Sequence, residues 1–365
     1  MADVVLTGGG TGGHVYPALA VAEALVALRP GLDILFVGTP DRMEARVVPA
    51  AGWRFEAIEA RGLSRHPSQA VQALAALGRG FGQARRLLRQ ERPRVVLGTG
   101  GYASAATMLA ANLEGVPTFL HEQNVVPGKV NRWLGRWSTG VLLSLPGGEP
   151  WWSGVAGHLT GNPIRRAAFR VDRAAARAAL GVPEAAPLLL VTGGSQGARR
   201  INEAVLALAP EILRETAWHV LHVTGHGDHE EARGKLPPDH GGRWRLVSYL
   251  DEMPAAVVAC DIALGRDGAT TLAELTATGR AMVLVPYPFA GGHQRLNARA
   301  AEEAGAAVVL ADEACDAAGL RRVLMPLLQS PEVVSRMAAA SQQLGRPDAA
   351  TEVAGVLLRA AFPAG

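Results

Sequence analysis

Cysteine and lysine are both nearly missing from this chain of 365 residues. Cys260 and Cys315 are the two thiols; they have no metal-type spacing and form no disulfide framework, which suits a reducing compartment. The sequence has no Ser-His-Asp order, no HExxH and no cluster of Cys with His, so neither a hydrolase triad nor a protein metal centre is expected, and no cofactor is implied. Lysine occurs at Lys129 and Lys235 among 36 basic residues, so the formal charge of +3 and the pI of about 9.2 rest on arginine. Arginine forks suit phosphate recognition or an anionic membrane surface; a genome-wide arginine bias would give the same composition, and both explanations stay open. Long apolar runs are also lacking. The best stretch, SAATMLAANLEGVPTFL, is cut by Glu114 and Pro117, short of the ~20 residues a membrane-spanning helix needs. MADVVLTGGG enters a strand with no basic or apolar leader, so export is not expected.

Hydrophobic residues at 48% and charged residues at 19% describe a folded chain, and the length suggests two domains of roughly 150 to 200 residues. Short Val/Ile/Leu runs alternate with helical patterns throughout. They place strands at 3–7, 33–38, 55–60, 94–99, 117–121 and 140–145, then at 188–193, 219–224, 244–249, 261–265, 282–286 and 306–310. Strands this apolar are buried on both faces, the mark of parallel sheets covered by helices, so the class is α/β. VVLTGGGTGG opens the first series and LLLVTGGSQGAR the second, a coarse duplication. The Arg- and Ala-rich stretch between them, with Pro163, Pro183 and Pro187, reads as a connection. We therefore expect two Rossmann-like domains facing a cleft: 1–162 joined by a C-terminal helix at 347–365, and 163–346. Ligands of such sheets bind beyond the carboxyl ends of the strands.

Five glycines crowd TGGGTGGHVYP at 7–17, more than a tight strand-to-helix turn requires. Gly8, Gly10 and Gly13 satisfy GxGxxG. The second strand, DILFVGT, lacks the terminal acid that would hold a dinucleotide ribose, which disfavours NAD. GGSQGAR offers backbone N–H groups, the Ser195 hydroxyl and a helix start, an arrangement suited to a diphosphate. Glu274 lies in the first turns of the next helix-opening motif, GRDGATTLAELTATG; it is placed either to complement the helix dipole or to accept ribose hydroxyls. HEQN at 121–124, GTGGYASAA and HQRLNA add polar groups at strand ends and helix starts, the lining a sugar requires.

In this order, GGTGGHVYPALAVA, GTPDRMEA, VLGTGGYAS, HEQNVVPGKVNRWL, GNPIR, GGSQGAR, GATTLAE and HQRLNA resemble the MurG family of peripheral membrane glycosyltransferases over nearly the full chain. The resemblance implies the GT-B arrangement of two Rossmann-like domains. It implies transfer of N-acetylglucosamine (GlcNAc) from UDP-GlcNAc to the C4 hydroxyl of the muramyl sugar of lipid I, giving lipid II with inversion. Carried over by position, the donor contacts are Thr11, Gly12, Gly13, Asn124, Arg165, Ser195, Gln196, Gly197, Leu250, Glu274 and Gln294. Within that set, Ser195 and Arg165 would serve the diphosphate, Glu274 the ribose, the backbone near Leu250 the uracil, and Gln294 with Asn124 the GlcNAc. Gly10, Gly13, Gly101, Tyr102 and Glu122 would face the acceptor, with His14 as the base.

The implied partners are UDP-GlcNAc, lipid I, an anionic membrane surface and other cell-wall synthesis proteins, with no nucleic acid; the place is the cytoplasmic face of the cell membrane. The stretch 67–94 has Val71, Leu74, Leu77 and Phe81 at helical spacing beside Arg79, Arg85, Arg86 and Arg89. That pattern fits core packing, and the family's membrane patch falls in the same region. Two departures stand out. Asp267 replaces the family's Ser between Arg266 and Gly268, where a carboxylate repels a diphosphate unless it is turned away or paired. The loop through Phe289 is also short. Rival readings are another UDP-sugar transferase, UDP-GlcNAc 2-epimerase, and a nucleotide-sugar-binding protein without catalysis.

Overall fold

The computed structural model describes residues 1–62, 67–165, 169–194, 197–238, 240–288 and 293–363, without the side chains of 67–71, 74 and 293. The chain divides into two compact units, Met1–Arg165 with Pro347–Gly365, and Arg166–Arg346.

In the first unit the elements run β1 Val4–Gly8, α1 Gly12–Leu28, β2 Ile34–Gly38, α2 Met43–Ala50, β3 Arg54–Ala57, α3 Pro67–Glu91, β4 Val95–Gly100, α4 Tyr102–Leu113, β5 Thr118–Glu122, α5 Lys129–Gly135, β6 Gly140–Leu143 and β7 Gly157–Leu159. They build one parallel sheet in the order β3-β2-β1-β4-β5-β6-β7. Residues of β1 alternate between two buried layers. Val5 packs with Val37, Val96 and Leu120 on one face, and Leu6 with Leu19, Phe36 and Leu97 on the other. Burial on both faces is why the strands read as continuous apolar runs.

The second unit contains α6 Arg173–Ala179, β8 Leu188–Thr192, α7 Arg199–Ala207, α8 Ala209–Glu215, β9 His219–Val223, α9 His229–Lys235, β10 Trp244–Val247, α10 Met253–Ala259, β11 Ile262–Gly265, α11 Ala269–Ala277, β12 Ala281–Leu284, α12 His293–Glu303, β13 Ala307–Val309, α13 Ala317–Leu328 and α14 Pro331–Leu344. Its sheet, β10-β9-β8-β11-β12-β13, repeats the order of the first six strands of the other unit. Both are doubly wound Rossmann-like sheets. The chain then returns to the first unit as α15, Ala349–Ala361, whose Val353, Ala354 and Leu357 enter the layer formed by α1 and the sheet.

All twelve strands read from the sequence are present, with the third at Arg54–Ala57 instead of 55–60. The thirteenth, β7, is three residues on the sheet edge with two of them exposed, too short and too polar to read as an apolar run.

In each sheet the winding reverses beside the first strand, between β1 and β4 and between β8 and β11. Adjacent loops part there and leave a crevice beyond the carboxyl ends. The β1–β4 register slips between Thr7 and Gly8, so the irregular backbone begins where the first glycine loop does.

Candidate active site

The first crevice is built from the β1–α1 and β4–α4 turns. His14 stands in the first turn of α1, and its Nδ1 lies 3.0 Å from the carbonyl of Gly9. A neutral ring donating there keeps its proton on Nδ1 and leaves the Nε2 lone pair bare, the tautomer a proton acceptor needs. The ring rests against Gly100, where a Cβ would come within 2.9 Å of Cδ2 and Nε2 and where φ is +114°. Gly101 packs on the backbone of Gly9, Tyr102 is 42% exposed, and the Thr99 hydroxyl donates to the His14 carbonyl at 2.9 Å. Thr11, Gly12 and Gly13 form the cap and first residues of α1; the Thr11 hydroxyl does not cap the helix amides and lies 3.5 Å from His14 Nδ1.

The sequence reading missed Glu44. This carboxylate is 1% exposed, accepts from the Gly10 amide at 3.0 Å, and accepts from the Thr39 amide and hydroxyl at 3.1 and 2.7 Å. It fastens the glycine loop to the end of β2 and forbids a side chain at Gly9. The signal was present in GTPDRMEA, but nothing local said that the acid turns inward.

HEQN divides into scaffold and surface. His121 is fully buried. Its Nε2 lies 3.1 Å from the Gly161 carbonyl, its Nδ1 receives Gln123 Nε2 at 3.1 Å, and burial lowers its pKa to about 4, so it is neutral. Glu122 is 1% exposed, and its oxygens accept from the Asn124 amide at 3.0 Å, the Gly128 amide at 3.3 Å and Asn131 Nδ2 at 2.8 Å. It holds its own loop in shape. Asn124 is half-buried, and its Nδ2 donates to Glu122 at 3.2 Å. Arg165, expected near the diphosphate, is exposed and ion-paired with Glu23 of α1 at 2.9 Å.

The second crevice is a cavity of about 810 Å³ over the carboxyl ends of β8, β11 and β12, a volume in the range of small-molecule sites. Gly197, Leu250, Glu274 and Gln294 all line it, together with Arg266 and Tyr249. Ser195 and Gln196 lie outside the described residues, as does Phe289. The N-termini of α7 and α11 open here with no capping side chain, leaving amide N–H groups for an anion.

Glu274 has no hydrogen-bond partner among the described residues, and burial pushes its carboxyl up to about 7. Gln294 accepts from the Tyr287 amide at 2.7 Å, which fixes its carbonyl and leaves its NH₂ to donate elsewhere. Tyr249 stacks on His226 with centroids 5.6 Å apart, an aromatic wall beside Leu250 that the sequence did not announce.

The departure at Asp267 is resolved by direction. Arg266 pairs with Asp312 at 2.6 Å and donates to the Val285 carbonyl at 2.9 Å. Asp267 is fully buried, its oxygens have no well-formed hydrogen bond among the described residues, and burial, only partly offset by the Asp267 and Ala298 backbone amides, raises its carboxyl to about 7. Arg266 and Gly268 line the cavity and Asp267 does not, so its carboxyl is turned away from the cavity. On α3, Leu77 and Phe81 pack against the core, while Arg79 pairs with Glu59 and Arg85 and Arg89 pair with Glu114. The side chains of Val71 and Leu74 lie outside the described residues. Among the described residues no helix is long and apolar enough to cross a membrane, and no three of His, Cys, Asp and Glu gather as metal ligands.

Two doubly wound units, each with an anion-ready crevice at its switch point, define a nucleotide-sugar transferase architecture of the GT-B kind. Residues 4–143 match the glycosyltransferase family 28 N-terminal domain, and residues 188–353 match the C-terminal domain of that family. The UDP-N-acetylglucosamine–N-acetylmuramyl-(pentapeptide) pyrophosphoryl-undecaprenol N-acetylglucosamine transferase of Desulfitobacterium hafniense strain Y51 is 39% identical over 98% of this chain and 99% of its own. Its namesake in Salinibacter ruber is 43% identical over 96% and 95%. The solved MurG of Acinetobacter baumannii superposes with a TM-score of 0.78 at 26% identity, covering 98% of this chain and 100% of its own. The chain belongs to glycosyltransferase family 28, within the family of these N-acetylglucosamine transferases. A UDP-GlcNAc 2-epimerase from Neisseria meningitidis, at 14% identity and a TM-score of 0.72, shares the fold alone.

Proposed function

We propose that this protein transfers GlcNAc from UDP-GlcNAc to the C4 hydroxyl of the muramyl sugar in lipid I, forming lipid II with inversion. The observation that carries the donor assignment is the cavity in which Glu274, Gln294 and two uncapped helix N-termini converge. Glu274 accepts the ribose hydroxyls, Leu250 and Tyr249 border the base, and Gln294 donates to the sugar. The diphosphate rests on the α7 N-terminus near Gly197 and Ser195, where its charge is stabilised without water having to reorganise.

In the displacement, the acceptor hydroxyl attacks C1 as His14 Nε2 takes its proton; the C1–O bond to UDP breaks, and the electron pair leaves with the diphosphate. A positioned base contributes about 10² to 10⁴-fold. No protein-bound metal enters this scheme. Thr11, Gly12 and Gly13, the cap and first residues of α1 beside His14, are assigned to UDP-GlcNAc, and Gly10, Gly13, Gly101 and Tyr102 to the acceptor side.

We also assign the membrane contact to α5 and the turns after it. Trp133, Trp137 and Trp151 are 48%, 64% and 37% exposed beside exposed Lys129, Arg132 and Arg136, and Arg132 lies 4.7 Å over the Trp151 ring. Amphipathic rings with cations suit an anionic headgroup layer better than α3, whose Leu77 and Phe81 face inward.

The deciding experiment follows labelled GlcNAc from UDP-GlcNAc into a lipid I analogue, with and without EDTA. Disaccharide product in both arms supports the whole reading. UDP release with an epimerised sugar and no disaccharide moves the protein to the epimerase reaction, UDP-GlcNAc binding without turnover makes it a binding protein, and loss of product in EDTA overturns the metal-free step.

A further inference from the structure

The second unit has another cavity at the opposite end of the same strands. Its volume is about 690 Å³, and it is framed by the residues that enter β8, β9, β11 and β12: Pro187, Trp218, Asp261 and Arg280. The far wall is α14, with Val334, Ser335 and Ala338.

The charges in it are unevenly satisfied. Asp261 is fully engaged: it accepts from Arg173 at 2.6 Å and from the Leu188 amide at 2.8 Å, with Arg177 at 3.5 Å. Glu215 is held by Arg214 at 2.6 Å. Arg280 is different. It is half-buried, its Nε donates to the Thr278 carbonyl at 2.7 Å and its Nη1 to the Cys260 carbonyl at 2.8 Å, and among the described residues no carboxylate pairs with it. Two carbonyls occupy two of five N–H donors, and burial holds its pKa below the ordinary arginine value. Asp261 acts on Arg280 through its charge but spends its hydrogen bonds on Arg173 and the Leu188 amide, so a guanidinium partly removed from water and not directly paired favours a further anion beside it. Trp218, Leu328 and Val334 supply the apolar part of the cavity, beside the polar side chains of Thr216, Gln329 and Ser335.

We propose that this cavity binds a small organic anion, with a phosphate or carboxylate head on Arg280 and an apolar body against Trp218 and Val334. Arg173 adds positive charge at the rim, although it is shared with Asp261. The site is separate from the donor cavity, which lies at the carboxyl ends of these strands and shares no lining residue with it.

The test is calorimetric titration of the full chain with phenyl phosphate, benzoate and inorganic phosphate. Wild-type protein should bind at least one of the two aromatic anions, and more tightly than inorganic phosphate. Whichever binds tells phosphate from carboxylate. Arg280→Gln should weaken that binding about tenfold or more, the scale of a lost charge-assisted hydrogen bond. Because Arg280 also holds two carbonyls, Ser335→Trp provides a second arm: Ser335 is exposed on α14, and an indole there fills the cavity without entering the core. It should abolish binding while leaving the thermal midpoint within a few degrees. No binding to the wild type, preference for inorganic phosphate, or binding unchanged in Ser335→Trp would each overturn the proposal.

Discussion

At the scale of single residues, glycines and buried acids set the chemistry. Gly100 carries no side chain because the His14 ring occupies that space. Gly100→Ala should therefore displace the imidazole and lower turnover by at least tenfold, while UDP binding, measured by calorimetry, stays within twofold. His14→Ala should cut turnover about 10² to 10⁴-fold with the thermal midpoint unchanged; full turnover in a folded variant would remove His14 as the base. For Asp267 the sign follows from burial. Its folded pKa of about 7 lies above that of an unfolded carboxyl, so between about pH 4 and 7 the native state holds a proton that the unfolded state has released. Stability should fall as pH rises through that window and stay low above it. Asp267→Asn should flatten the curve and raise the midpoint at pH 8. Glu274, also near 7, adds a ligand signature. Ribose hydroxyls are best accepted by the ionised form, so UDP affinity should rise with pH up to about 7 and then level, and Glu274→Gln should weaken binding roughly tenfold or more and remove that slope.

At the scale of elements, the sequence was most legible where burial on both faces left an unbroken apolar run. β1 and β8 were located to within a residue or two, and their glycine turns marked both crevices. Gly197, Leu250, Glu274 and Gln294 follow one another at intervals of 53, 24 and 20 residues, and the cavity they share exists because β8, β11 and β12 end together. Polar residues that turn inward were not legible. Glu44 and Glu122 carry the same chemistry in sequence as a ligand-facing acid, and only the backbone amides folded against them reveal them as loop fasteners. α15 offers an element-scale check. Leu357 is fully buried against α1 and the first sheet, so Leu357→Ala should cost about 2 to 5 kcal/mol in chemical denaturation.

For the whole molecule, arginine bias and scarce lysine left the membrane question open, and the exposed indoles around α5 are the site proposed for it. Trp133→Ser combined with Trp137→Ser should reduce partitioning onto phosphatidylglycerol vesicles at least tenfold, and added salt should weaken the remainder; unchanged partitioning would return the contact to α3. The path of the chain has a consequence in time. The first unit begins with β1, yet its layer is completed by Val353, Ala354 and Leu357, with Phe362 under Arg29. The second unit, Arg166–Arg346, is one continuous segment of chain. During synthesis at about 5 to 20 residues per second, the half made first must wait on the ribosome with an apolar face of α1 uncovered, while the half made second has all its parts. Order of translation and order of completion are therefore reversed, and the early half is the one that needs protection from aggregation until the last helix emerges.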